Sequence, residues 1–216
     1  MRLLKHINFQ NQRAIIRVDF NVPLNDNLEV TDKTRIEAAK PTIDYILSQG
    51  GSCVLLSHLG RPKGNDPRLS LKNIVSDVSQ ILGVPVEFSE TVVGAEAEAK
   101  ANALQPGQVL LMENLRYHEE ETAGDVSFSK QLAQLGTIYV NDAFGTAHRA
   151  HASTTIMAQY FNENKCFGAL LAKEVEAIDK VMKDGESPIV AILGGAKVSS
   201  KITIIETLLD KVDHNG

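Results

Sequence analysis

Tryptophan is absent from this chain and aromatic residues make up only 5% of it, so its interior has to be built from aliphatic side chains. The apolar content of 43% is ample for such a core. Cysteine is scarce. Cys53 and Cys166 have neither paired-motif spacing nor the density of a secreted disulfide scaffold. Cys53, inside Ser52-Cys53-Val54-Leu55-Leu56, reads as a buried thiol. Basic residues are outnumbered, 22 Lys and Arg against 27 Asp and Glu, for a formal net charge of −5. That balance excludes a general nucleic-acid binder, which needs a broad basic surface. No apolar run is long enough to span a bilayer, and Met1-Arg2-Leu3-Leu4-Lys5-His6 lacks the apolar stretch of a signal peptide. The expectation is a soluble, reduced, cytoplasmic protein with no nucleic-acid or membrane partner. Its 216 residues suit one large domain, or one domain and part of another.

What is present alternates between short apolar runs and helical periods. Strands are expected at Arg13–Val18, Cys53–Leu56, Val84–Phe88, Gln108–Met112 and Thr137–Val140. Helices are expected at Thr34–Ser48, at Leu71–Leu82 between the N-cap Ser70 and the stop Gly83, at Val93–Leu104, and at Phe128–Leu135. Pro41 predicts a kink or a late start in the first of these helices. Such βα alternation implies an α/β fold: a parallel sheet with helices on both faces, a Rossmann-like three-layer αβα arrangement. From about residue 165 the pattern changes. A long amphipathic segment, Ala169–Lys183, is broken at Asp184-Gly185-Glu186-Ser187-Pro188, and one further strand, Ile189–Leu193, leads into a helix at Val198–Lys211. A single strand–helix unit cannot cover both faces of a parallel strand, so it reads as the opening of a second α/β domain.

Four loops, each following an expected strand, concentrate Arg, His and Asn. They are Arg17-Val18-Asp19-Phe20-Asn21-Val22-Pro23, Ser57-His58-Leu59-Gly60-Arg61-Pro62, Glu113-Asn114-Leu115-Arg116, and Asn141 to His151. In a parallel sheet the strand ends lie along one edge, so these loops converge on one crevice suited to a small, strongly anionic ligand. Asp19 and Asn21, two residues apart, point to the same side of an extended chain. In the second loop Gly60 permits a tight turn and Pro62 stiffens its exit, holding His58 and Arg61. Arg116 reads equally well as an ion-pair partner of Glu119, Glu120 or Glu121. The small-residue loop with His148, Arg149 and His151 has little packing reason to hold three such side chains. Metal binding by the two histidines is the rival reading, but no further ligand set accompanies them and no metal site is expected. Gly194-Gly195-Ala196-Lys197, between a strand and a helix, is a phosphate-binding layout, with Lys201 one turn beyond Lys197. Arg35 reads locally as a solvated helix-start residue.

Taken together, Arg17 to Pro23, the His58 loop, Asn114-Leu115-Arg116-Tyr117, Asn141 to Thr154 and Gly194 to Ile202 resemble phosphoglycerate kinase, in order and over essentially the whole chain. In that family an N-terminal domain binds 3-phosphoglycerate or 1,3-bisphosphoglycerate, a C-terminal domain binds MgADP or MgATP, and a hinge brings them together. The resemblance implies a phosphoglycerate-binding domain at residues 1–168, an interdomain helix at 169–185, and the incomplete start of a nucleotide-binding domain at 186–216. It implies a phosphoglycerate site formed by Asp19, Asn21, Arg35, His58, Leu59, Gly60, Arg61, Arg116, His148, Arg149 and His151. It promotes Arg35 to the arginine nearest the transferred phosphoryl group, opposite Lys201. Gly194, Gly195, Ala196, Lys197 and Lys201 become the nucleotide side. The family's adenosine pocket, magnesium-binding Asp and glycine-rich nucleotide loop find no counterpart in the chain. A glycolytic kinase acting as a monomer is implied, present here as its N-terminal part and inactive alone. The competing expectation is a binding module for a phosphorylated carboxylic acid.

Overall fold

The computed structural model describes residues 2–146 and 149–184. The expected strand Ile189–Leu193 and helix Val198–Lys211 lie outside them. Six parallel strands form one sheet: β1 (Arg13–Arg17), β2 (Ser52–Leu56), β3 (Val86–Ser89), β4 (Val109–Met112), β5 (Ile138–Asn141) and β6 (Lys165–Phe167). Their order is β3-β4-β2-β1-β5-β6. The helices are α1 (Thr34–Ser48), α2 (Val75–Leu82), α3 (Ala95–Ala103), α4 (Glu119–Ala123), α5 (Val126–Ala133) and α6 (Ala169–Asp184). The chain divides into two compact units, Met1–Ala172 and Lys173–Gly216, and the sheet belongs to the first.

Because side chains alternate across a strand, every central strand feeds two cores. Ala14, Ile16, Cys53, Leu55, Val109, Leu111 and Val140 pack on one face with Ile36, Ile43 and Ile46 of α1 and Val78 of α2. Ile15, Val54, Leu56, Leu110, Met112 and Tyr139 pack on the other with Ala97 and Ala101 of α3 and Phe128 and Leu132 of α5. The thiol of Cys53 is buried as expected, and so is that of Cys166. Among the described residues no helix is long and apolar enough to cross a membrane.

Differences from the expected elements have local causes. Helix α1 runs from Thr34 through Pro41 to Ser48, with no late start. Pro41 is exposed, so its ring faces solvent, and the only helical bond it forfeits is the one to the carbonyl four residues back. The buried stripe Ile36, Ala39, Thr42, Ile43 and Ile46 outweighs that loss. Leu71 to Leu82 is two pieces, a 3₁₀ turn at Leu71–Ile74 and then α2. Ser70 caps the turn by accepting from Lys72 N–H, and Gly83 ends α2 in the left-handed region. Strand β6 and helix α4 were not anticipated.

The strand registers bring the site together. Arg17, the last residue of β1, lies beside Leu56 of β2 on one side and Asn141 of β5 on the other. Leu55 of β2 in turn lies beside Leu111 of β4. Four strands therefore end at the same level, and the chain leaves each into the same edge of the sheet. Strand β1 sits between β2 and β5, where the strand order changes direction, the usual place for a crevice in an open α/β sheet.

Candidate functional site

At that edge lies a cleft of about 290 Å³ lined by Asp19, Asn21, Arg35, His58, Gly60, Arg61, Arg116, Gly145, Thr146 and Arg149. Loops after β1, β2, β4 and β5 all contribute, together with the first turn of α1. Of the residues expected at a phosphoglycerate site, eight line the cleft. Leu59 is buried beneath it, and His151 sits behind it with Nδ1 3.9 Å from Glu121 Oε1. His148 lies outside the described residues, as do Gly194, Gly195, Ala196, Lys197 and Lys201. Gly145 and Thr146 were missed, since neither carries a charge or a ring that would single it out.

The loops are tied to one another by buried amides. Asn114 is fully buried. Its Nδ2 donates to the carbonyls of Leu59 and Leu69, each at 2.8 Å, and its Oδ1 accepts from Leu59 N–H at 3.3 Å and Arg116 N–H at 3.0 Å. It thereby fastens the β4 loop to the β2 loop. Asn21 Oδ1 accepts from Gly60 N–H at 2.7 Å, joining the β1 loop to the same turn. Gly60 has φ +61°, and a Cβ there would meet Leu69 at 2.8 Å, so both conformation and space call for glycine. Ser57 Oγ accepts from Phe20 N–H at 2.8 Å.

The cations are held in different ways. Arg35 Nη1 pairs with Asp19 Oδ2 at 2.6 Å while its side chain stays half exposed at the mouth. Arg116 donates from Nη1 to the Gly60 carbonyl at 2.7 Å, and forms no ion pair with Glu119, Glu120 or Glu121. This disposes of the local-pair reading. Burial lowers the pKa of Arg116, and its neighbours Arg149, Arg17 and Arg61 lower it further, the signature of cations gathered against their mutual repulsion. Arg61 makes no hydrogen bond or ion pair among the described residues. The backbone of Arg149 is anchored by the hydroxyls of Thr154 and Thr155, which donate to its carbonyl at 2.7 and 3.1 Å.

His58 is buried, and its pKa is pushed down to about 2, first by desolvation and then by Arg17, Arg116, Arg35 and His151. It is therefore a neutral imidazole at physiological pH. Beneath the cleft Arg17 and Glu121 are both 1% exposed; the sequence offered Arg17 as part of the first cation-bearing loop and Glu121 as a pair for Arg116, and neither as a buried charge. Their signal could have been found only by asking what sits opposite Arg17 once β1 is placed at the centre of the sheet.

Asp142, beside the cleft-lining loop, is fully buried and faces the start of α6. It accepts from Thr42 Oγ1 at 2.5 Å and from Leu171 N–H at 3.1 Å, and burial raises its pKa. The side chain of Thr42 also accepts from Ala169 N–H at 2.8 Å. Among the described residues no group of three or more His, Cys, Asp or Glu side chains could hold a metal ion. What the cleft can do chemically is grip an anion with forked guanidiniums, offer a neutral imidazole, and present one carboxylate to a donor.

Comparison with known proteins converges on one family. A family model described as phosphoglycerate kinase matches residues 4–215. Phosphoglycerate kinase of Moorella thermoacetica is 52% identical over 211 residues, covering 97% of this chain and 53% of that protein. The Porphyromonas gingivalis enzyme is 48% identical over 235 residues, covering 98% and 56%. Among solved structures, phosphoglycerate kinase from Pyrococcus horikoshii OT3 matches with a TM-score of 0.87 at 32% identity, over 99% of this chain and 54% of that one. The Coxiella burnetii enzyme matches with a TM-score of 0.83 at 37% identity, over 98% and 53%. The chain spans about half the length of these relatives. A parallel αβα sheet, an arginine-lined cleft at its switch point and these concordant matches make this chain a member of the phosphoglycerate kinase family.

Proposed function

We propose that this chain supplies the phosphoglycerate side of a phosphoglycerate kinase active site. The reaction is reversible transfer of the acyl phosphoryl group of 1,3-bisphosphoglycerate to ADP, giving 3-phosphoglycerate and ATP. The observation that carries the reading is the cleft, where Arg35, Arg61, Arg116 and Arg149 surround the neutral His58 and the carboxylate of Asp19. Guanidiniums match phosphate and carboxylate in charge and in fork geometry. A lone carboxylate among them suits the one donor on the ligand, its hydroxyl. In this reading Arg61, Arg116 and Arg149 hold the distant phosphate. Asp19 accepts from the hydroxyl, with Asn21, His58, Leu59, Gly60, His148 and His151 completing or supporting the site.

Phosphoryl transfer asks a protein mainly for alignment and charge neutralisation. An oxygen of the ADP β-phosphate bonds to the acyl phosphorus as the bond from that phosphorus to the carboxyl oxygen breaks. The electron pair stays on the departing carboxylate. The attacking oxygen is anionic before transfer and the departing carboxylate oxygen is anionic after it, so no proton moves and no general base is required. Arg35, at the mouth, neutralises charge on the moving group from this side, and Lys201 does so from the other. Gly194, Gly195, Ala196 and Lys197 contact the nucleotide phosphates. Magnesium accompanies the nucleotide in this family. The described residues offer it no ligand set, and none of these steps runs through it.

Residues 1–168 act as the phosphoglycerate domain, 169–185 as the hinge helix and 186–216 as the start of the nucleotide domain. Closure about that hinge excludes water from the acyl phosphate. The whole enzyme to which these domains belong is proposed to be monomeric, cytoplasmic and glycolytic. Because the relatives are about twice as long, the 216 residues alone are proposed to bind 3-phosphoglycerate without turnover. Calorimetry with 3-phosphoglycerate and with glycerate, beside a coupled ATP assay, tests this. 3-Phosphoglycerate binds, glycerate does not, the coupled assay stays flat, and Arg116→Met weakens binding at least about tenfold, the value of one charged hydrogen-bonding group. Equal affinity for the two ligands, or an unchanged Kd in Arg116→Met, would overturn the site assignment. Turnover would overturn the half-site reading alone.

A further inference from the structure

Arg17 is the largest fully buried side chain among the described residues, and it forms no direct ion pair with any of them. A guanidinium only donates, so each of its contacts has a fixed polarity. Its Nη1 donates to the Val18 carbonyl. Its Nε donates to Ser153 Oγ at 2.9 Å, and its Nη2 meets His58 Nδ1 at 3.1 Å. Ser153 is held in turn by Glu121. Its Oγ–H donates to Glu121 Oε1 at 2.6 Å and its N–H to Oε2 at 3.0 Å. Glu121 is as buried as Arg17, and its charge is the largest of those favouring the protonated guanidinium.

The direction of every hydrogen bond follows from the two ends. The Glu121 carboxylate can only accept, so the Ser153 hydroxyl spends its proton there and its lone pair faces Arg17. Arg17 can only donate, so His58 Nδ1 must accept. A neutral imidazole carries one ring proton, which leaves it on Nε2. The charged and titratable groups facing His58 are Arg17 from β1, Arg116 from the β4 loop, Arg35 from α1 and His151 from the β5 loop, and each opposes a charged ring.

We propose that Glu121, Ser153 and Arg17 form a buried relay of positioning residues that fixes His58 as the neutral Nε2–H tautomer. The cleft thereby gains a hydrogen-bond donor that stays uncharged and in one orientation among its four arginines. Four arginines attract any anion. A fixed neutral donor instead selects for an oxygen at one place on the ligand. That the oxygen belongs to a phosphorylated carboxylic acid rests on the proposed function. The tautomer does not.

The test is long-range ¹H–¹⁵N correlation spectroscopy of the chain labelled with ¹⁵N-histidine, without ligand, His58 being assigned by its disappearance in His58→Gln. In the unsubstituted chain His58 shows the Nε2–H pattern and no titration between about pH 5 and 8, where an ordinary histidine titrates. In Arg17→Met the two tautomers mix and titration enters that range. Ser153→Ala moves the pattern the same way, by less. A His58 that carries its proton on Nδ1 or titrates in the unsubstituted chain overturns the relay, and so does an unchanged pattern in Arg17→Met. Should Arg17→Met fail to fold, the unsubstituted chain and Ser153→Ala decide the matter. Adding 3-phosphoglycerate separates the two readings: a fixed tautomer without binding sinks the ligand and leaves the relay standing.

Discussion

Replacing Asn114 by Ala should do more damage than replacing any arginine of the cleft, although Asn114 carries no charge and reaches no solvent. Its amide serves two donors and two acceptors at 2.8 to 3.3 Å: the N–H and C=O of Leu59, the C=O of Leu69 and the N–H of Arg116. Each buried group left unpaired costs about 1–3 kcal/mol, so four set an upper bound of roughly 4–12 kcal/mol. The space vacated by the amide admits a water that restores part of this, which brings the expected loss to about 3–5 kcal/mol. That is a large share of the roughly 5–15 kcal/mol by which a domain is stable. Urea unfolding followed by circular dichroism reads it directly. With a slope of about 3 kcal/mol per molar urea, the midpoint drops by about 1–2 M. Calorimetry on the folded Asn114→Ala chain should show at least about tenfold weaker binding of 3-phosphoglycerate, because the Leu59-Gly60-Arg61 turn has lost its tethers to the β4 loop. A stability loss under about 1 kcal/mol would refute the premise that these four groups depend on Asn114. Unaltered binding would refute the claim that the amide positions Arg61 and Arg116.

Two further outcomes follow from the same network. The pKa of His58 falls from about 6.5 to about 2 on folding, so the unfolded chain takes up that proton first as pH drops. The stabilisation tied to neutral His58 is therefore complete above about pH 6.5 and erodes steadily below it. At pH 5.5 the loss is about 1.4 kcal/mol. Unfolding free energies at pH 7.5 and 5.5 should fall further for the unsubstituted chain than for His58→Gln, and equal falls would show that His58 does not titrate on unfolding. Gly168→Ala would place a Cβ 2.3 Å from Cγ and Oδ1 of Asp142. That carboxylate is pinned by Thr42 and Leu171 and has nowhere to retreat, so a destabilisation of about 2–3 kcal/mol is expected. Calorimetric melting should register it as a Tm lower by about 4–12 °C, and a shift below about 2 °C would show that the contact relaxes freely.

Some of this was legible in the residues. Apolar runs such as Cys53-Val54-Leu55-Leu56 announce buried parallel strands, and Ser70 and Gly83 announce where a helix begins and ends. Strand β6, three residues with only Cys166 buried, is too short to show a period. Helix α4, Glu119 to Ala123, looks like a solvated charge run, yet Glu121 turns inward beneath the cleft. Pro41 argued for a kink or a late start, yet α1 already begins at Thr34, where its buried face calls for it. Arg35 drew attention only through family resemblance, since its place at the cleft depends on where α1 starts relative to the end of β1 and on Asp19 to hold it.

The order of residues is enough to set the layering, through periods of two and of about 3.6 residues. It is also enough to set the chemistry available, through arginines, histidines and amides placed after strands, and to set the family, through motifs kept in order. Which of those side chains share one cleft is a matter for the folded chain. It depends on the strand order β3-β4-β2-β1-β5-β6 and on the level at which four strands end. Folding likewise makes Arg116 grip the Gly60 turn, stands His151 behind the cleft, and joins Arg17 to Glu121 through Ser153. Those contacts span up to 136 positions of chain, and no local pattern encodes a partner at that distance.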